Sequence, residues 1–148
     1  IKEIKMSGTI KGLLLEIGGD TSGLQKALNK VNSTSSSLSK ELKGINSLLK
    51  LDPKNTELVA QKQTVLTKNI KETEDKLKLL KEAQENADKT IQNGGIISQE
   101  NYRNLQREIV STENKLSNLI EQYKQFRLET SKLNQARKSY ARVWRKSR

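Results

Sequence analysis

The stretch KGINSLLKLDPKNTELVAQKQ (residues 43–63) contains the single proline of this 148-residue chain, Pro53. Proline lacks a backbone N–H and disfavours helical geometry at the preceding residue, Asp52, so a helix must end there. Asn55 can cap a following helix, and Glu57 favours the positively polarised end of that helix. Because a short connection makes two helices antiparallel neighbours, Pro53 is predicted to mark the tip of a helical hairpin.

Two long helices are expected on either side of this tip, and a third follows them. The first runs from about Thr21 to Leu51 and the second from about Thr56 to Gln92. The sequence Asn93-Gly94-Gly95 then breaks the pattern, and Ser98 is a suitable N-cap for the third helix. Apolar residues recur along all three helices at heptad spacing, which is typical of a coiled coil. The seam of the first helix consists of Leu24, Leu28, Val31, Ser35, Leu38, Leu42, Ile45 and Leu49, and that of the second of Val59, Gln63, Leu66, Ile70, Thr73, Leu77, Leu80, Gln84, Ala87 and Ile91.

The third helix carries the strongest pattern, since all five aromatic residues of the chain lie on its seam. At about 1.5 Å per residue it is roughly 70 Å long, against roughly 45 Å for the first helix. It should therefore overhang the Pro53 tip from near residue 130, which would expose Leu133, Tyr140, Val143 and Trp144 to solvent in a monomer. Either another chain covers them or the helix is frayed there. We expect a homo-oligomer formed through the helices. The residues assigned to this oligomer or partner seam are Tyr102, Leu105, Ile109, Leu116, Leu119, Tyr123, Phe126, Leu133, Tyr140 and Trp144.

Several seam positions are polar, and two interpretations of them stay open. They either fix the register of the helices or are tolerated near solvent, because a single polar seam residue sets the oligomeric state in only some coiled coils. These positions are Gln63, Thr73, Gln84, Thr112 and Thr130.

The N-terminal residues show a different periodicity. From Thr9 to Ile17 the pattern predicts a strand, because Leu13, Leu15 and Ile17 share one face at period two. The first residues, IKEIKM, could pair back across Ser7-Gly8 as a hairpin. A lone two-stranded ribbon is marginal in water, so this β element is expected to join another sheet, for example in a neighbouring subunit.

The predicted fold is mainly α: an elongated three-helix antiparallel coiled coil with a short N-terminal β-strand or hairpin. The expected divisions are an N-terminal β element at residues 1–19, the coiled-coil hairpin with the third helix at residues 20–126, and a basic helical extension at residues 127–148.

The positive charge of the chain is concentrated in this last segment. Of a net charge of +11, the residues from Arg127 to Arg148 hold eight basic side chains and one acidic side chain. Such a segment suits a nucleic acid, an anionic membrane surface or an acidic groove of a protein, and equally a solvated helix end. The basic patch flanking Tyr140 and Trp144 consists of Arg137, Lys138, Arg142, Arg145, Lys146 and Arg148.

The residue types needed for catalysis are scarce. The chain contains neither cysteine nor histidine, which removes thiolate zinc sites, disulfides and the usual general base. Gly18, Gly19 and Gly23 follow the predicted strand, but their spacing is not that of a dinucleotide-binding loop. No apolar run is long enough to predict a membrane span. We expect a non-enzymatic protein with no catalytic, cofactor or metal site.

Three segments resemble the amino-terminal region of tail tape-measure proteins of long-tailed bacteriophages and prophages. They are GTIKGLLLEIGGDTSGLQKALNKVN, LKGINSLLKLDPKNTELVAQKQTVL and ISQENYRNLQREIVSTENKL, which together cover about residues 8–120. IGGDTSGL and LLKLDPKNTELVAQKQ are the most specific pieces. The final residues, ARKSYARVWRKSR, match no continuation of that family that we recognise.

The resemblance implies a long helical protein that fills the growing tail tube, helps to set its length and is bound by assembly chaperones. It implies the tail tube protein or those chaperones as partners, and the virion tail as location, with the host cytoplasm during assembly. At about 1.5 Å per residue even a fully extended helix of this chain would span only roughly 220 Å, so it would be an anchor of such a ruler. The alternatives are a basic coiled-coil nucleic-acid-binding protein and a prophage-derived product that interferes with tail assembly.

Overall fold

The structure, a computed structural model, describes residues 10, 12–17 and 21–147, with the backbone alone at Ser147. Over these residues it contains helices and no strand. A short helical segment at residues 12–16, which we call α1, precedes three long helices. These are α2 (Ser22–Leu51), α3 (Thr56–Gln92) and α4 (Gln99–Ser147).

The three long helices form an elongated antiparallel bundle in which α3 is central. Both α2 and α4 pack along α3, whereas α2 and α4 meet each other much less. The order of the core residues fixes the directions, since Leu28 and Leu105 meet Leu80 at one end of the bundle. At the other end Leu42 and Leu119 meet Leu66. The predicted helical hairpin and its antiparallel third helix are therefore present.

Two apolar clusters make up the core, and each takes residues from all three long helices. They bury the leucine and isoleucine stripes that the heptad pattern places on one side of each helix. The basal core consists of Leu13, Leu14, Leu28, Leu80, Ala83, Leu105 and Ile109. The distal core, nearer Pro53, consists of Leu38, Leu42, Ile45, Val65, Leu66, Leu119 and Phe126.

The tip between α2 and α3 has the predicted capping chemistry. The last turn of α2 closes with a hydrogen bond from the Asp52 amide to the Leu48 carbonyl. The Asn55 side-chain oxygen accepts from the Leu58 amide at 3.0 Å, which satisfies one free N–H group at the start of α3. Asn55 also donates to the Asp52 carboxylate at 3.2 Å, so one amide side chain joins the two helix ends.

The turn between α3 and α4 depends on glycine. Gly94 has φ 85°, in the left-handed region where a residue with a Cβ is strained. A Cβ at Gly95 would lie 2.6 Å from Cγ2 of Thr90 and 2.9 Å from its carbonyl oxygen. Beyond this turn the Ser98 hydroxyl accepts from the Asn101 amide at 3.2 Å, which confirms Ser98 as the cap of α4.

The strand predicted from Thr9 to Ile17 is wrong over the described residues, which are helical at 12–16. Leu13 and Leu14 are both fully buried in the basal core, while Leu15 is 70% exposed. Ile10 and Ile17 also pack against that core, which completes the spacing of one face of a helix. The predicted hairpin of the first residues lies outside the described part of the chain.

The segment α1 is held in place by polar bonds as well as by its leucines. The Glu16 carboxylate accepts from the Ser98 amide at 3.0 Å and from the Asn101 side chain at 3.1 Å. Because Ser98 caps α4, this negative charge lies at the positive end of that helix, where it is favoured. The Thr90 hydroxyl donates to the Ile17 carbonyl at 3.0 Å. Together these bonds fix α1 across the base of the bundle.

Substitutions at neighbouring leucines distinguish the helical segment from the predicted strand. Leu14→Asp should lower the free energy of unfolding by about 3–5 kcal/mol, because it places an unpaired carboxylate in the basal core. Leu15→Asp should change it by less than about 0.5 kcal/mol, because that side chain faces solvent. Urea unfolding followed by circular dichroism measures both. If Leu15→Asp lowered the free energy of unfolding more than Leu14→Asp, the predicted strand would be the better assignment.

Candidate protein-interaction site

The predicted seam of α4 divides into two parts at Leu133. The residues before it pack against α2, α3 or α1: Leu105, Ile109, Leu119 and Phe126 are buried, and Tyr102, Leu116 and Tyr123 are half-buried. Leu133 is half-buried as well, and every described side chain after it is exposed. The first part of the seam is therefore used inside the chain, and only the second part faces solvent.

The bundle ends where α4 passes the Pro53 tip. Leu49, Pro53 and Leu133 line one groove there, with Phe126 between them. The Lys62 ammonium lies 5.4 Å from the centroid of the Phe126 ring, a cation–π distance that helps to cover the end of the distal core. This position agrees with the overhang that the helix lengths predict from near residue 130.

Residues 134–147, which we call the α4 extension, present an apolar stripe outside the bundle. Tyr140 is 67% exposed, Val143 66% and Trp144 52%. A helix turns about 100° per residue, so Tyr140 and Trp144 lie almost in line with Leu133. The stripe that builds the core thus continues past the tip as an exposed apolar surface.

The basic side chains of the α4 extension mostly lie on another face. The same rotation places Lys138, Arg142 and Arg145 on the side opposite Tyr140, whereas Arg137 lies near the apolar stripe. All of the predicted basic patch is exposed except Arg148, which lies outside the described residues. Aromatic and basic groups therefore form two faces of an amphipathic helix, an arrangement that suits a helical partner on the aromatic face.

A polar layer separates the basal core from the distal core. Ser35 donates to the Asn69 side-chain oxygen at 3.4 Å, and Asn69 donates to the Ser39 hydroxyl at 3.4 Å. The Thr73 hydroxyl donates to the Asn69 carbonyl at 2.7 Å. The Thr112 hydroxyl likewise donates to the Glu108 carbonyl, one turn earlier on its own helix. The heptad seams include Ser35, Thr73 and Thr112 but omit Asn69, although it is almost fully buried.

Two lysines border this layer in different electrostatic settings. Lys76 forms a 2.9 Å ion pair with Glu108, and both side chains are 20% exposed. The Lys115 ammonium instead donates to the neutral Ser35 hydroxyl at 2.7 Å. Burial lowers the pKa of Lys115, and the positive charge of Lys76 lowers it further. Within the described chain no carboxylate pairs with Lys115, so its charge stays uncompensated.

The Ser35–Lys115 pair has the residue types of a nucleophile and its base, but its surroundings do not suit catalysis. Ser35 is 5% exposed and lies in the middle of α2. The N–H groups around it are bonded to carbonyls one turn earlier, so they cannot form an oxyanion hole. We therefore interpret this pair as part of the packing of the polar layer.

Tyr102 is another seam residue with a perturbed environment. Its hydroxyl donates to the Asp88 carboxylate at 2.6 Å and accepts from Gln84 at 3.4 Å. The hydrogen bond to Asp88 raises the pKa of Tyr102. This contact ties the start of α4 to the end of α3.

The described ranges contain neither a metal-binding cluster nor a membrane-spanning helix. No group of three or more acidic, histidine or cysteine side chains is placed there to hold a metal ion. No helix in the same ranges has the length and apolar character needed to cross a membrane.

Comparison with known proteins shows similarity to one phage protein. Over 111 residues the chain is 32% identical to a protein named "Probable tape measure protein" from Lactococcus phage SK1. The aligned region covers 75% of this chain but 11% of that phage protein. No family model matches the chain, and no solved structure matches it either.

The uncompensated charge at Lys115 leads to a pH-dependent prediction. Folding lowers the pKa of Lys115 below its ordinary value of 10.5. Between the folded-state pKa and 10.5 the unfolded chain therefore binds more protons than the folded chain. The contribution of Lys115 to the free energy of unfolding rises with pH across that interval. Near neutral pH the charged group therefore lowers stability. Lys115→Met should raise the free energy of unfolding there, by less than about 1 kcal/mol because solvent screens the half-buried charge.

The gain from Lys115→Met should shrink as the pH rises through that interval, and urea unfolding at several pH values measures it. Lys124→Met, at an exposed position of the same helix, is the matched control and should change stability by less than about 0.5 kcal/mol. A large loss of stability in Lys115→Met would mean that the bond to Ser35 outweighs the cost of burying the charge.

Proposed function

We propose that this chain is a non-enzymatic structural and assembly protein of a phage tail. In this role it is a tape-measure-like component that takes part in setting tail length and in building the tail tube. The observation that carries the proposal is the similarity to the Lactococcus phage protein, which extends over three quarters of the chain. The elongated helical form agrees with this role, because helices give a fixed length of about 1.5 Å per residue.

The chain corresponds to a small part of a ruler on this proposal. It spans 11% of the length of the phage protein that it matches. The helix α4, with 49 residues, is about 73 Å long, which is short for a structure that measures a whole tail. On this proposal the tail tube protein or assembly chaperones are the partners of this chain. The location would be the virion tail, and the host cytoplasm during assembly.

Self-association through the α4 extension is the assembly step that the geometry favours. Tyr140 and Val143 each leave about two thirds of their surface exposed. An isolated helix of this length is only marginally stable in water. A second copy that covers its apolar stripe would stabilise it. In such a pair the opposite face, with Lys138 and Arg142, stays in solvent and like charges remain apart.

A second candidate function is nucleic-acid binding, and the basic face of the α4 extension favours it. Lys138, Arg142, Arg145 and Lys146 are all exposed. Lysine and arginine that neutralise phosphates release counterions, and duplex affinity then falls with salt with a log–log slope of about −0.9 per phosphate contact.

Two face-specific variants separate these functions. Tyr140→Ser with Trp144→Ser should abolish self-association in sedimentation equilibrium, because it removes the apolar stripe. Lys138→Glu with Arg142→Glu should leave self-association unchanged. If the protein instead binds duplex DNA at moderate salt, and only the basic-face variant loses that binding, nucleic-acid binding is the better assignment.

The tail role itself is tested in a phage that encodes this chain. An in-frame deletion of the α2–α3 hairpin should give lysates without tails of normal length, as seen by negative-stain electron microscopy, since the protein would no longer support tail assembly. The intact chain supplied in trans should restore normal tails and is the control. Tails of unchanged number and length in the deletion would refute the proposed function.

A further inference from the structure

A cleft runs between α2 and α4 on the side of the bundle away from α3. Because these two helices pack on α3 more than on each other, their facing sides leave a channel about three helical turns long. One face of α2 between residues 39 and 50 and one face of α4 between residues 111 and 122 form its walls, and Asn69 contributes to its floor. We call it the α2–α4 cleft.

The charges of the α2–α4 cleft have one sign. Lys43, Lys50 and Lys115 line it, and no carboxylate does. The whole of α2 has the same bias, with five lysines and one glutamate. The helix α3, in contrast, carries equal numbers of acidic and basic residues. A positive potential is therefore concentrated on the α2 and α4 side of the bundle.

Two polar groups in the cleft lack the partners that burial normally requires. Lys115 is half-buried and bonded to a neutral hydroxyl only, while its neighbour Lys76 has a carboxylate. The Asn46 side-chain oxygen is shielded from solvent and accepts no hydrogen bond from the described chain. Groups of this kind lower stability when the protein is alone, and a bound partner that supplies the missing bonds gains from them.

We propose that the α2–α4 cleft binds an acidic amphipathic helix of a partner protein. Leu42 and Leu119 are buried in the distal core, so the apolar side of that helix packs on the aliphatic stems of the lysines that line the cleft. Its carboxylates pair with Lys43, Lys50 and Lys115. The cleft has the length for about three turns of the partner. Helix-in-groove binding of this type is a common mode of recognition, and charge complementarity selects the partner.

Other occupants fit the cleft less well. A second copy of this chain carries a net charge of +11 and would bring more positive charge to a positive surface. Single-stranded nucleic acid is usually held by stacking on aromatic rings, and no aromatic side chain lines the cleft. The inference goes beyond the proposed tail role and does not depend on it, because it follows from the charge and shape of this chain alone.

The test uses a synthetic two-heptad peptide with leucine on its seam and glutamate beside it, labelled for fluorescence anisotropy. A peptide of the same length with glutamine in place of glutamate is the control ligand. The glutamate peptide should bind the full chain at least about tenfold more tightly than the glutamine peptide. Amide shifts in nuclear magnetic resonance spectra should change within residues 39–50 and 111–122.

Charge-matched variants locate the site. Lys43→Glu with Lys50→Glu should weaken binding about tenfold or more, because both side chains line the cleft. Lys26→Glu with Lys30→Glu makes the same charge change on α2 outside the cleft, and should weaken binding by less than about twofold because salt screens distant charges. Lys115→Met should weaken binding while the fold becomes more stable, a combination that misfolding cannot produce.

Three results would overturn the proposal. The first is equal loss of affinity in the two double-glutamate variants, which would mean general attraction to a basic protein. The second is absence of binding by the glutamate peptide in a well-folded chain. The third is displacement of the peptide by single-stranded DNA or by self-association of the chain, either of which would assign the cleft to a different occupant.

Discussion

Asn69 lies between the two apolar clusters, and its almost fully buried side-chain amide bonds to α2. It accepts from Ser35, donates to Ser39 and supplies its carbonyl to Thr73. A buried amide that loses its partners costs free energy, so the register of α2 on α3 that aligns these groups is favoured. Since α4 also packs along α3, this register determines which part of α4 is covered and where its seam leaves the bundle.

The division of α4 at Leu133 connects the fold to its proposed role. The aromatic and aliphatic seam residues of α4 before Leu133 pack into the chain's own core. Above it the same stripe is exposed, and the opposite face is basic. A rod that folds with its own three helices and still offers one helical face for assembly fits a component of a larger structure. The proposed tail role itself rests on the similarity to a phage tape measure protein, of which the chain spans 11%.

The sequence predicts those parts of the molecule that local chemistry determines. Pro53, Asn55 and Ser98 act through neighbouring residues, and the helix ends that they predict are present. The strand prediction fails at Leu13 and Leu15 because the spacing of the residues from Ile10 to Ile17 fits both period two and a helical face. These residues form a helix because Leu13 and Leu14 pack into the basal core. That core is made by residues distant in sequence, so the local pattern does not reveal it.

The polar features of the candidate site are also invisible in a single helix. Nothing in the neighbourhood of Asn69 distinguishes it from a surface asparagine, because its partners come from α2. The uncompensated charge of Lys115 likewise depends on which side chains α2 and α3 present to it. The exposed stripe of the α4 extension, by contrast, follows from helix lengths and the position of the tip, so it could be predicted.

Hydrogen exchange along α4 tests most directly whether the bundle ends at Leu133 while the helix continues. In the monomeric chain we expect the amides before Leu133 that belong to the core to exchange only through global unfolding. Those of the α4 extension should exchange faster by several orders of magnitude, because a lone helical segment of this length is marginal in water. Equal protection on both sides of Leu133 in a monomer would contradict the view that the α4 extension requires a partner.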